Sequence, residues 1–107
     1  MSEEKIEYNC PLEYTQKLIG GKWKPIILWY LASRGVLRYG ELKRSIPTIS
    51  DKMLSEQLKE LEADGLIHRK QYKQVPPKVE YSITDKGETV VPLLKKMNQW
   101  GLENMEE

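Results

Sequence analysis

The sequence predicts a predominantly helical α+β domain, and three patterns carry this prediction. Between positions 39 and 64, two short segments with apolar residues at helical spacing flank a proline. Two β-prone runs follow, with a proline pair between them. Helical patterns precede and follow this central block. A chain of 107 residues has the size of one domain with a modest core, so we assign residues 1–107 to a single unit.

The first helix is expected to begin at Pro11, because proline lacks the N–H that would stay unpaired in a first turn. Gly20 and Gly21 end it. Residues 1–8, which precede it, are expected to form a flexible arm. The apolar residues of its inner side are Leu12, Leu18 and Ile19.

A second helix is expected over residues 22–32, with Pro25 in its first turn and Gly35 beyond its end. The segment is apolar nearly all round, which is typical of a central core helix. A short edge strand is expected over residues 36–38. The residues that make the helix apolar are Trp23, Ile26, Ile27, Trp29, Tyr30 and Leu31.

Residues 39–64 predict a helix-turn-helix. Leu42 and Ile46 pattern its first helix, Pro47 ends that helix, and Ser50 can cap the second one. Two helices joined by a tight turn, the second with an apolar back and a polar front, are suited to docking in a DNA major groove. The apolar back consists of Leu54, Leu58 and Leu61.

Residues 67–84 predict a wing. Two strands are expected, over residues 67–72 and 79–84. Pro76 and Pro77 lie between them and offer no N–H donor, so the strand ladder cannot continue through them and a stiff, extended tip results.

Residues 85–105 predict a last helix, for which Thr84 and Asp85 are alternative caps. Glu88 would complete a capping box if Asp85 is the cap. Pro92 either kinks this helix or begins a separate segment. A terminal helix outside a wing often pairs with its twin, so we expect a dimerisation helix. Its apolar residues are Val90, Leu93, Leu94, Met97, Trp100 and Met105.

Composition excludes several classes of site. One cysteine, Cys10, excludes an internal disulfide framework and a multi-cysteine zinc site. The only histidine, His68, lies far from Cys10 in sequence, so the two do not form a metal site, and no clear nucleophile completes a catalytic triad with His68. We therefore expect no cofactor. The longest apolar run, residues 26–32, is too short to span a membrane, and the acidic N-terminus is unlike a signal peptide. These observations favour a cytoplasmic protein without a membrane partner.

The net charge of +1 conceals an uneven distribution. Residues 17–44 contain seven basic side chains and one acid, and residues 66–79 contain four basic side chains and no acid. Such a chain can present a basic face to phosphate while its total charge stays near zero. An ordinary solvated surface is the alternative interpretation.

Four segments together resemble the HxlR-type bacterial and archaeal transcriptional regulators, relatives of the MarR-type repressors. They are CPLEYTQKLIGGKW (10–23), RYGELKRSIPTIS (38–50), MLSEQLKELEADGLIHR (53–69) and VPPKVEYSITDKG (75–87). Tyr39 stands where the family often has Phe, and Thr48 where it often has Gly. The resemblance implies a winged-helix homodimer that binds double-stranded operator DNA through the second helix of the motif and the wing. Several members of the family sense electrophiles or oxidants through a cysteine near the N-terminus, where Cys10 stands.

The candidate DNA-binding residues follow from this arrangement. Lys52, Ser55 and Lys59, together with Glu56, face away from the apolar back and are expected to be exposed. Lys52 and Ser55 lie near the N-terminal end of the second helix, which usually reaches base edges, and Lys59 is better placed for the DNA backbone. Arg69 flanks the wing and has Asp64 or Glu62 as an alternative partner. The full set is Lys43, Arg44, Ser50, Lys52, Ser55, Lys59, Arg69, Lys73 and Lys78.

Both the N-terminal and the C-terminal helix are expected to contribute to dimerisation, and the candidate dimer residues are Leu12, Leu93, Met97 and Trp100. Cys10 is the candidate sensor of a small-molecule electrophile or oxidant, because the N-terminal end of a helix favours a thiolate. Lys22 or Lys24 could add to this effect, and an inert buried thiol is the alternative. Two other functions stay open: a winged-helix protein-interaction module without DNA binding and, with less support, a thiol enzyme that uses Cys10.

Overall fold

The computed structural model describes residues 10–106, in which six helices and three strands surround one core. The predicted arm over residues 1–8 lies outside the described residues. In chain order the elements are α1 (Pro11–Ile19), α2 (Lys24–Arg34), β1 (Leu37–Arg38), α3 (Tyr39–Ser45), α4 (Asp51–Ala63), β2 (Ile67–Tyr72), β3 (Lys78–Ile83), α5 (Asp85–Glu88) and α6 (Val91–Asn104).

The second helix begins two residues later than predicted. Trp23 is its N-cap residue, Pro25 lies in its first turn, and Gly35 ends it with a φ of 84°, a conformation that favours glycine. We expected this helix to be a central core helix, and the structure confirms this for one side of it only. Ile27, Leu28 and Leu31 are fully buried, but Ile26 is 37% exposed because it lies on the side of α2 that faces outward.

The helix-turn-helix comprises α3 and α4. Ser50 caps α4 as predicted, since its hydroxyl accepts a hydrogen bond from the Met53 amide at 3.0 Å. At the start of α3, the amide of Arg38 donates to Glu41 Oε1 at 2.8 Å. The predicted apolar back of α4 is confirmed, because Leu54, Leu58 and Leu61 are all buried in the core.

The three strands form an antiparallel sheet in the order β1-β3-β2. The predicted edge strand exists, and its Leu37 pairs with the buried Tyr81. The hairpin ladder stops at the pair Tyr72↔Lys78, so residues 73–77 form the predicted tip. Val75 in that tip is 97% exposed.

The C-terminal segment contains two helices. Thr84 is the cap of α5, because its hydroxyl accepts from the Gly87 amide at 2.9 Å, and Pro92 lies in the first turn of the separate α6. Gly87 is required here, since a Cβ would overlap the carbonyl oxygen of Leu66 and the side chain of Ile83. Within residues 10–106, no helix has the length and apolarity needed to cross a bilayer.

Candidate nucleic-acid interface

The start of α4 is attached to the start of α3 by a tyrosine. The Tyr39 hydroxyl lies 3.1 Å from the main-chain oxygen of Asp51 and 3.0 Å from its Oδ1. Burial raises the pKa of Tyr39, and its bond to the Asp51 carboxylate raises it further, while a hydrogen bond with Ser55 opposes them. The first turn of α4 is therefore held by its cap and by a side chain of the preceding helix.

The outward face of α4 carries Lys52, Glu56 and Lys59, which are exposed. The expectation that Ser55 is equally exposed is wrong. Ser55 is half-buried, and it lies close enough to Tyr39 to lower the pKa of that phenol. This face therefore offers two lysines and a glutamate to a ligand, with Ser55 at its margin.

A cleft of about 410 Å³ separates α4 from the wing. Lys59 and Arg69 stand on its walls, so the structure brings these two predicted basic residues together. Within residues 10–106, Arg69 makes no ion pair with Asp64 or Glu62, and its closest polar partner is Gln71 at 3.5 Å. The residues that line the cleft are Ser55, Leu58, Lys59, Glu62, Arg69 and Tyr81.

The wing contains a cluster that the sequence did not reveal. Tyr72 donates to Glu80 Oε1 at 2.8 Å, and the Lys78 ammonium lies 3.4 Å from Glu80 Oε2 and 4.6 Å from the centre of the Tyr72 ring. The Tyr72 hydrogen bond and Lys78 lower the pKa of Glu80, although burial opposes them. Lys78 is thus already paired, whereas Lys73 is exposed at the tip.

The remaining predicted DNA-binding residues lie around the helix-turn-helix. Ser50 is exposed at the cap of α4, Arg44 is exposed on α3, and Lys43 beside it is half-buried. The spread of these groups over α3, α4 and the wing gives a discontinuous basic surface.

A second surface is apolar and combines α1 with α6. The expectation that Leu12 lies on the inner side of α1 is wrong, since it is 62% exposed; Ile19 and the half-buried Leu18 pack inward instead. Leu12, Leu93 and Met97 line one cleft of about 290 Å³. Trp100, further along α6, is 68% exposed. The structure therefore places all four predicted dimer residues at the surface, three of them around one cleft.

Cys10 occupies the N-cap position of α1, and its thiol is exposed. The expectation that this thiol is buried, which belonged to the alternative, is therefore wrong, while its reactivity stays a prediction. The structure gives no support to an assisting role for Lys24, because its ammonium contacts Glu60 and the carbonyl of Lys17. Lys22 lies over the Trp23 ring instead, 4.6 Å from its centre.

Sequence reasoning missed the residues that position the interface rather than those that form it. Tyr39 and Asp51 are twelve positions apart, and Tyr72 and Glu80 meet only across the hairpin. The Ser50 cap was the one available signal, because it places Asp51 in the first turn of α4.

Known proteins are similar to this chain in sequence and architecture. The HxlR-like helix-turn-helix family matches residues 18–107. The uncharacterized HTH-type transcriptional regulator BH0655 of Halalkalibacterium halodurans is 58% identical over 96 residues, which are 90% of this chain and 85% of that protein.

Two solved structures show the same fold. The redox regulator HypR in its oxidized form has a TM-score of 0.87 and 48% identity, covering 92% of this chain and 100% of that chain. The reduced form of the transcriptional regulator YodB from Bacillus subtilis has a TM-score of 0.77 and 35% identity, covering 92% of this chain and 97% of that chain. These likenesses confirm the predicted winged helix-turn-helix.

Proposed function

The chain belongs to the HxlR-like helix-turn-helix family, and from this premise we propose that it is a transcriptional regulator that binds operator DNA as a homodimer. The observation that carries the proposal is the outward face of α4. Lys52, Glu56 and Lys59 are exposed on that face, while Leu54 and its apolar partners anchor the opposite face in the core. A helix held in this way can enter a major groove without exposing apolar side chains.

The wing and α3 extend the proposed contact to the DNA backbone. Lys73 is exposed at the tip, Arg69 stands on the cleft beside α4, and Arg44 is exposed on α3. Basic groups on both sides of a recognition helix are suited to phosphates, which fix the register while the helix reads base edges. A protein-interaction module, the alternative function, does not require this arrangement.

The proposed dimer uses the apolar surface of α1 and α6. Leu12, Leu93, Met97 and Trp100 are exposed together, and an apolar area of this kind on so small a domain favours an interface. Two-fold symmetry would then present two copies of α4 to successive major grooves, about 34 Å apart.

Cys10 is proposed as the group through which oxidants or electrophiles act on the regulator. Its thiol is exposed at the start of α1, two residues before Leu12 of the proposed interface. The comparison with HypR supports this proposal, because HypR is called a redox regulator and has the same fold as this chain. YodB, whose structure is that of a reduced form, also has this fold.

Selection from random duplexes tests the DNA-binding proposal. Inserts of about 30 base pairs can hold two half-sites one helical turn apart. We expect enrichment of a two-fold symmetric sequence, and affinity for it that falls steeply as salt rises. No enrichment, together with affinity that ignores salt, would favour the interaction module instead.

A further inference from the structure

In the contact between Tyr39 and α4, the tyrosine hydroxyl is the hydrogen-bond donor. A phenol carries one proton, which the Tyr39 hydroxyl can donate to the oxygens of Asp51. Ser55, one turn further along α4, lies close enough to lower the pKa of Tyr39. The Tyr39 hydroxyl therefore joins the first turn of α4 to the first residue of α3.

The Tyr39 ring is itself well fixed. It is half-buried and packs against the core, so the hydroxyl is held at a defined place rather than on a mobile side chain. Because the pKa of this phenol lies above its usual value of 10.0, the group stays protonated and remains a donor at physiological pH.

The position of Asp51 gives this contact a consequence for DNA binding. Asp51 lies in the first turn of α4, next to the exposed Lys52. An unattached carboxylate at that end of a recognition helix would repel phosphate groups. A carboxylate that accepts a hydrogen bond from the Tyr39 hydroxyl is held toward α3 instead.

We propose that Tyr39 is a positioning residue for α4, which fixes the N-terminal half of this helix on α3 and holds the Asp51 carboxylate away from the DNA backbone. This inference rests on the proposed DNA-binding function. Tyr39 need not touch DNA, since it acts through Asp51.

Tyr39→Phe tests the inference because it removes the hydroxyl and keeps the ring. We expect five- to tenfold weaker binding to the selected operator, about the loss of one net hydrogen bond. In an Asp51→Asn background the same change should weaken binding less than about threefold, since no carboxylate is released. Equal losses in the two backgrounds would show that Tyr39 does not act through the Asp51 charge.

Tyr30→Phe is the matched control. It removes the hydroxyl of another half-buried tyrosine, on α2, for which residues 10–106 show no hydrogen bond from that hydroxyl. Its operator affinity should equal that of the wild type. A loss as large as that of Tyr39→Phe would mean that any missing tyrosine hydroxyl has this effect and would overturn the inference.

Amide hydrogen exchange separates this inference from the proposed function, because it needs no DNA. Tyr39→Phe should speed exchange in residues 53–56 of α4 and leave the last turn of α4 unchanged. Unchanged exchange at residues 53–56 would refute the positioning role even if the protein binds its operator. Failure of the wild type to bind any duplex would refute the proposed function. The exchange result would then decide whether Tyr39 fixes the N-terminal half of α4.

Discussion

The Lys24 ammonium lies 2.7 Å from Glu60 Oε1, and this ion pair connects α2 to the C-terminal half of α4. Its other contact is the main-chain oxygen of Lys17, 3.4 Å away in the last turn of α1. Lys24 is only 8% exposed, while the side chain of Glu60 is 55% exposed. One buried charge therefore links α1, α2 and α4, the proposed recognition helix.

The two partners of this ion pair should differ in their effect on stability. Glu60→Ala leaves the buried Lys24 charge with one carbonyl, so the free energy of unfolding should fall by about 1–3 kcal/mol. Lys24→Met removes the buried charge and should lower stability by less than half as much. Urea denaturation measures both. Glu62→Ala, an exposed acid two positions later, is the control, and a larger loss for Lys24→Met than for Glu60→Ala would contradict this account.

The wing lysines should contribute unequally to DNA affinity. Lys73→Ala should reduce the slope of log affinity against log salt by about one, because an exposed lysine can neutralise a phosphate. Lys78→Ala should change the slope less, because Glu80 already neutralises part of its charge. Fluorescence anisotropy over a salt series measures the slopes. Lys96→Ala, an exposed lysine on α6, should leave the slope unchanged; equal slopes for all three variants would place the DNA elsewhere.

Lys52 should affect the choice of sequence as well as affinity. It is exposed in the first turns of α4, the end that usually reaches base edges, and a good base contact contributes about 1–3 kcal/mol of discrimination. Lys52→Ala should therefore bind operator and scrambled duplex with a smaller affinity ratio than the wild type. An unchanged ratio with uniformly weaker binding would make Lys52 a phosphate contact.

Trp100 should be the main apolar contributor to the dimer. Its side chain is 68% exposed in the single chain, and burying a large aromatic at an interface is typically worth about 2 kcal/mol or more. Trp100→Ala should weaken dimerisation roughly thirtyfold. Analytical ultracentrifugation at micromolar protein measures this, with Val75→Ser at the exposed wing tip as control. A wild type that is monomeric under these conditions would exclude the proposed interface.

Oxidant should act on DNA binding through Cys10. Its exposed thiol can form a disulfide with Cys10 of a partner subunit or with a small thiol, and either product changes the surroundings of α1. Diamide should alter operator binding by the wild type and leave Cys10→Ser unaffected, as measured by mobility shift with and without a reductant. The same diamide response in both proteins would assign the effect to another group.

The wing should respond to acid through Glu80. Because the pKa of Glu80 is lowered from its usual 4.5 in the fold, the stability it contributes is present above pH 4.5 and is lost as pH falls through the folded value. In Tyr72→Phe, which removes the hydrogen bond to Glu80, that pKa should rise toward its usual value. Carboxyl chemical shifts followed by NMR over pH report it directly. The same pKa in Tyr72→Phe and wild type would show that Lys78, rather than Tyr72, controls Glu80.

The order of elements and the main turn points could be read from the chain because they depend on neighbouring residues. The Ser50 cap, the stop at Gly35 and the proline tip of the wing are local effects of side-chain chemistry on the backbone. The spacing of Leu54, Leu58 and Leu61 identified the buried side of α4 for the same reason.

The sequence by itself thus determined a winged helix-turn-helix, its family and the outward face of α4. Only the tertiary structure decided that Leu12 lies outside the core of the chain, that Ser55 is half-buried, and that Lys24 is buried against Glu60. The physical reason is that an apolar or charged side chain has a partner only once distant elements are packed together. Helical spacing shows which residues share a face, but packing decides whether that face meets another helix, the wing or solvent.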